Sequence, residues 1–165
     1  MDDNGGKKRV RIALESAANG EQVARTFEGD WYCRNRTVYV RYVEEDEESR
    51  IRTLLSWKDG RLKLTRRGSA ESEQTFVVGE RQPGYYATDQ VRLAFDTETT
   101  LLREADDPDA PTPEPLLPLQ LEWHYSLWSA GEKTGDFVIR LRADESEAAD
   151  GHPSDTEEDQ GGFDS

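Results

Sequence analysis

Cysteine is almost missing from this chain of 165 residues. Cys33 stands alone, so no internal disulfide can form. Histidine is nearly as scarce. With only His124 and His152 to draw on, a zinc site or a Ser-His-Asp arrangement lacks parts. No apolar run approaches the roughly eighteen residues that a membrane-spanning helix needs, and the opening "MDDNGGKKRV" has no apolar secretory segment. The expectation is a cytoplasmic protein, with no membrane partner and no metal. Cations are absent from Ala143 onward, where nine Asp and Glu residues fall among few apolar ones, so much of the net charge of -14 sits there. Such a stretch has too little apolar surface to offset the entropy of ordering it. Residues 143–165 are expected to be a disordered acidic tail, either solvating the protein or touching a basic partner or a basic face of its own barrel. Residues 1–6 are expected to be disordered as well.

A helical period is also missing between residues 7 and 142, where alternation by twos dominates. Val10, Ile12 and Leu14 share a face; so do Ile51, Thr53, Leu55 and Trp57. Val91, Leu93, Phe95, Thr97, Thr99 and Leu101 form a third set, and Leu119, Leu121, Trp123, Tyr125 and Leu127 a fourth. Phe137, Ile139 and Leu141 make the last. Turn residues separate these runs at Asn19-Gly20, Arg34-Asn35-Arg36, Asp59-Gly60, Arg67-Gly68-Ser69, Pro83-Gly84 and Ala130-Gly131. Five of the seven prolines crowd into "READDPDAPTPEPLLP", which reads as a long loop between two strands. About eight to ten short strands, each with one greasy face and no helix to cover it, must form a sandwich or a barrel. Tight sequential hairpins favour a single antiparallel barrel over residues 7–142, which also removes exposed edges.

Against that background Arg66 is out of place. Counting by twos from Leu62 through Leu64 lands on it, so a permanent charge occupies an inward position. A buried guanidinium needs a partner, because an isolated charge costs several kcal/mol even after relaxation. Glu44 shares the parity of Val38, Val40 and Tyr42 and is the candidate counter-ion; the phenols of Tyr39, Tyr42 and Tyr86 are candidate hydrogen-bond partners.

The spacing of Gly29, Tyr32, Tyr39, Tyr42 and Glu44, followed by Arg66 and Gly68, then Gln74, Phe76 and Gly79, then Tyr86 and the pair Thr97 and Thr99, resembles the YwiB-like family of small bacterial proteins of unknown function. The likeness runs from about residue 8 to residue 142. It implies a calycin-like, lipocalin-like β-barrel and brings no established activity. Two features depart from the family pattern: the turn at Asp89-Gln90-Val91, and the added Pro-rich insertion and acidic tail.

Two readings of the interior follow. In the structural one, Arg66 closes one end of a solid barrel by pairing with a carboxylate or stacking on a ring; it carries the greater weight for this residue, since ion-pair networks shape interiors without doing chemistry. In the functional one, Arg66 receives the anionic head of a small amphiphile, and Glu44, Tyr39, Tyr42, Tyr86, Trp57 and Trp123 line the rest of the site. The protein is then a noncatalytic binder; otherwise it is an interaction or structural module whose acidic tail meets a partner. An enzyme is the weakest class, since no catalytic residues can be named and no cofactor motif is present. Arg9, Arg11, Arg50, Arg52, Arg61 and Lys63 all alternate outward, but the acidic balance of the body argues against nucleic acid and for cross-strand pairing with glutamates. The acidic runs at residues 44–49 and 105–110 do not match a calcium loop.

Overall fold

The computed structural model describes residues 7–104 and 117–146. The alternating runs become ten strands: β1 Lys8–Ala18, β2 Glu21–Arg34, β3 Thr37–Glu45, β4 Arg50–Lys58, β5 Arg61–Gly68, β6 Glu71–Phe76, β7 Arg81–Ala87, β8 Arg92–Glu104, β9 Leu119–Ser129 and β10 Glu132–Glu145. Each pairs antiparallel with its neighbours in sequence, and β10 pairs with β1 to close the barrel. No described residue is helical, so none belongs to a helix long and apolar enough to cross a membrane. The last strand runs on to Glu145, past the expected boundary at residue 142. The rest of the acidic tail, residues 1–6 and most of the Pro-rich loop lie outside the described residues.

Four connections are two-residue turns in which both positions have positive φ: Asn19-Gly20, Asn35-Arg36, Asp59-Gly60 and Ala130-Gly131. That mirror-image geometry matches the right-handed twist of the strands it joins. Pro83-Gly84 is not a turn: both residues lie inside β7, facing Asp96 and Phe95 of β8. Gly84 is there for space, since a Cβ would meet the Glu73 carbonyl and stand 2.9 Å from the Phe95 ring. The chain reverses instead after Thr88, whose hydroxyl accepts from the N–H groups of Gln90 and Val91, both at 3.2 Å.

The inward set is the one that alternation marks, with one correction. The register between β8 and β9 shifts after Thr99, so that Leu101 faces His124 and Leu102 faces Trp123. The irregularity moves the inward parity from Leu101 to Leu102, which packs against the core. Burial is uneven along the barrel axis. Near the ends of β2, β4 and β8 and the starts of β1, β3, β5 and β9 the core is sealed, with Val10, Ile12, Val38, Val40, Leu62 and Leu119 at 0% exposure. Toward the opposite end the inward residues Leu14, Ile51, Leu64, Phe95, Leu127 and Ile139 are only half-buried. The barrel is sealed at one end, and toward the other its inward side chains are less deeply buried.

Candidate functional site

Arg66 lies in the wall near the less buried end. It belongs to a row of residues in register across six strands: Gly29, Tyr42, Thr53, Arg66, Ser72 and Tyr86. Leu93 of β8 continues the row beyond Tyr86. Strand spacing puts Tyr86 about 10 Å from Arg66 along it. Alternation therefore brings a cation, two phenols, two hydroxyls and an aliphatic side chain to one level of the barrel.

The polar groups form a chain. Tyr42 is hydrogen-bonded to Thr53, which is almost wholly buried. The Thr53 hydroxyl donates to Glu44 Oε2 at 3.1 Å, and Arg66 Nη2 donates to the same oxygen at 3.0 Å. Glu44 also receives Arg25 Nη1 at 3.3 Å on its other oxygen. Arg25 was not visible as a site residue from the sequence, although Arg25, Phe27, Gly29 and Trp31 alternate; its guanidinium lies over the Phe27 ring, 5.3 Å from the centroid. Two guanidiniums thus share one carboxylate, and the Asp46 carboxylate also feels the charge of Arg25. The Arg66 side chain is 31% exposed and that of Glu44 13%, while Arg66 Nε is buried with no hydrogen-bond partner. Further along the same rim, Leu93 is 53% exposed, and Tyr86 and Val91 are exposed as well. One step below Ser72 on β6, Gln74 Nε2 donates to the Thr97 hydroxyl at 3.2 Å and Gln74 is bonded to Tyr125. The buried Thr99 hydroxyl has no partner.

Three of the expected lining residues are elsewhere. Tyr39 has the opposite parity to the fully buried Val38 and Val40, so it faces out and stacks on Tyr32 with ring centroids 4.9 Å apart. Trp57 points inward, but at the plugged end, where its indole N–H donates to Glu104 Oε1 at 3.4 Å. Trp123 is 2% exposed and packs against Phe76 at 5.7 Å between centroids. These two tryptophans belong to the plug. Arg66, Glu44 and Tyr42 are brought together, with Tyr86 two strands away at the same level.

Burial raises the Tyr42 phenol above its ordinary value, the Glu44 carboxylate adding to the effect, and pushes Tyr125 up to about 12. Unfolded tyrosine ionises near 10. Above that pH the unfolded chain holds fewer protons than the folded one, so stability that is complete below pH 10 or so falls as pH rises through the folded values. For Tyr125 the span to about 12 is worth about 3 kcal/mol at most. Urea midpoints are expected to drop steadily above pH 10, and less steeply in Tyr125→Phe. Identical slopes for the two proteins would contradict the assignment.

The outer wall holds a second polar cluster. Glu122 accepts from Arg103 at 3.1 Å, lies 2.7 Å from His124 Nε2 and 3.6 Å from Arg140, and borders a groove of about 600 Å³. Its hydrogen bond to His124, with that to Arg103, holds the carboxyl below its usual range. The cations of this groove are answered, Arg103 and Arg140 by Glu122 and Arg142 by Asp144, and none of its lining side chains has a buried polar atom left without a partner. No group of three His, Cys, Asp or Glu side chains that could hold a metal occurs among the described residues.

The family profile described as a domain of unknown function (DUF1934) matches residues 9–141. A curated relative, the "Uncharacterized beta-barrel protein YwiB" of Bacillus subtilis (strain 168), is 26% identical over 90 residues, covering 54% of this chain and 63% of the relative. The crystal structure of the ywiB protein from Bacillus subtilis superposes with a TM-score of 0.64 at 17% identity, covering 85% of this chain and 93% of that one. That likeness concerns the fold.

Proposed function

We propose, from the premise that the chain belongs to the DUF1934 family, that it is a noncatalytic binder of a small amphiphile with an anionic head, seated in the less buried end of the barrel. The observation that carries this reading is Arg66: an inward guanidinium, still partly exposed, whose buried Nε has no partner and whose counter-ion is shared with Arg25. Glu44, itself held by the Thr53 hydroxyl, fixes the guanidinium through Nη2, leaving Nε for a ligand oxygen. A carboxylate or phosphate can accept from two guanidinium donors at once. The apolar part of the ligand would rest on Tyr86, Leu93 and Val91, which are otherwise wet.

Dodecanoate and dodecanol separate head from tail. Calorimetric titration is expected to show dodecanoate binding that weakens about tenfold or more in Arg66→Gln, the worth of one hydrogen bond to a charged group, with dodecanol indifferent to the change. Equal affinities of the two proteins for dodecanoate, or no binding by either, would remove the reading.

The runner-up is a structural or interaction module with a solid core. It is favoured by the sealed plug around Leu62, Phe76 and Trp123 and by the acidic turn, Glu45 to Glu48, at the less buried end. Native mass spectrometry of the protein purified from its own host discriminates the two: a retained small anionic molecule supports the binder, and its bare mass the module.

A further inference from the structure

The outer face does not pair its charges as cross-strand balance would require. Arg9 meets Asp30 at 3.3 Å and Arg11 meets Glu28 at 3.4 Å, but the β4–β5 hairpin behaves differently. Residues 50–68 carry six outward cations beside the inward Arg66, and a single acid, Asp59. Arg52 stands directly opposite Arg67, and Lys58 directly opposite Arg61. Like charges in such positions destabilise a sheet. Lys63 and Arg67 share Glu73, at 3.7 and 3.9 Å. Arg50, Arg52, Lys58 and Arg61 make no ion pair with any described residue, nor do Arg34 and Arg36 at the β2–β3 turn.

The two turns point the same way. Arg34 and Arg36 join β2 to β3, and Lys58 and Arg61 flank the turn from β4 to β5; all four are exposed on the rim of the plugged end. At that same end β10 finishes, and the Ser146 N–H donates to the Arg9 carbonyl at 2.9 Å. From there the sequence continues with seven acids and no Lys or Arg: Glu147, Asp150, Asp155, Glu157, Glu158, Asp159 and Asp164. At the less buried end the β3–β4 turn is acidic instead. An anionic segment leaving Ser146 therefore starts at the end that carries these four cations.

We infer that the C-terminal acidic segment docks on its own barrel, its acids from Asp150 to Asp159 lying against Arg34, Arg36, Lys58 and Arg61. The reach suffices: Asp159 can extend about 40 Å from Ser146, whereas half the circuit of ten strands is about 25 Å at strand spacing. The docked segment neutralises the Lys58–Arg61 pair and withholds this basic rim from other polyanions. This inference stands apart from the ligand reading of the Arg66 site, since it involves the opposite end.

Carbodiimide cross-linking of the full-length monomer tests it, because the reagent joins only carboxylates and amines already in contact. Lys58 and Lys63 are the amines of the basic face, and Lys133 is a control at the less buried end. Mass spectrometry is expected to find Lys58 or Lys63 joined to acids between Glu147 and Asp164, falling about fivefold or more in about 0.5 M NaCl, where screening acts within roughly 4 Å. Cross-links spread equally over Lys133, or absent from both Lys58 and Lys63, would overturn the inference. So would binding of an oligothymidylate by the full chain with no tail cross-links present, which would give the face to nucleic acid. The full-length variant Glu157→Gln, Glu158→Gln, Asp159→Asn supplies an independent readout: it is expected to elute from heparin at higher salt than the parent by more than the same three changes cause when Lys58→Glu and Arg61→Glu are also present. An equal shift in both backgrounds would mean that the tail does not cover this face.

Discussion

A Gly29→Ala chain is expected to lose about 3 kcal/mol of stability, the upper end of what an extra methyl costs in a packed interior. Gly29 sits on β2 between Val10 of β1 and Tyr42 of β3. A Cβ there would run into the Arg41 carbonyl oxygen and stand 2.9 Å from Ile12 Cδ1 and 3.0 Å from Tyr42 Cβ. The carbonyl belongs to strand β3, so it cannot withdraw without parting the two strands. Tyr42 cannot yield either, being buried and stacked on Phe27 at 4.6 Å. With a slope of about 2 kcal/mol per molar, the urea midpoint should fall by about 1.5 M. Gly20→Asn is the matched control: nothing lies within 4 Å of a Cβ there, and asparagine tolerates the positive φ of 82°. A midpoint for Gly29→Ala as high as the parent's would show that β2 and β3 are not this closely packed.

Trp123→Ala should cost more, about 3–5 kcal/mol. Its ring fills the plug against Phe76 and is 2% exposed, so truncation leaves a hole that rigid neighbours cannot fill. Trp123→Phe is a sharper probe. The indole N–H is buried with no acceptor, and an unsatisfied donor costs about 1–3 kcal/mol; phenylalanine removes that penalty while keeping much of the ring. The phenylalanine variant is expected to lose less than half of what the alanine variant loses, measured by urea unfolding. Equal losses would mean that the N–H has a partner in solution.

The sequence made the barrel legible because one alternating face per strand, with two-residue turns between them, admits few other solutions. The parity of Val38, Val40 and Tyr42 was enough to place Glu44 on the inside with Arg66, where the two pair. The same parity places Tyr39 outside. What could not be read was depth. Trp57 and Trp123 obey inward parity, yet periodicity does not say which end of a barrel a residue occupies; that requires the direction of each strand, which only the full meander supplies. Leu101 was misplaced because the shift beyond Thr99 is set by pairing with β9, a partner distant in sequence. Pro83-Gly84 has turn chemistry but serves a strand, its glycine chosen for the approach of Phe95. Arg25 escaped notice since an arginine at the start of a strand ordinarily points to water, and more than half of it still does. The outward arginines were expected to find glutamates, and Arg9 and Arg11 find acidic partners. Arg52 and Arg61 face cations instead, a consequence of strand pairing that no single strand reveals.

The most direct test of the Arg66 site is to watch the Arg66 Nε–H itself. In ¹⁵N-labelled protein this resonance is identified by its loss in Arg66→Lys, and dodecanoate is then titrated in. A saturable shift of the Nε–H signal, accompanied by side-chain signals of Tyr86 and Leu93, is the predicted result. A stationary Nε–H signal while the protein binds dodecanoate elsewhere would contradict it, leaving Arg66 as no more than the strut that holds Glu44 in the wall.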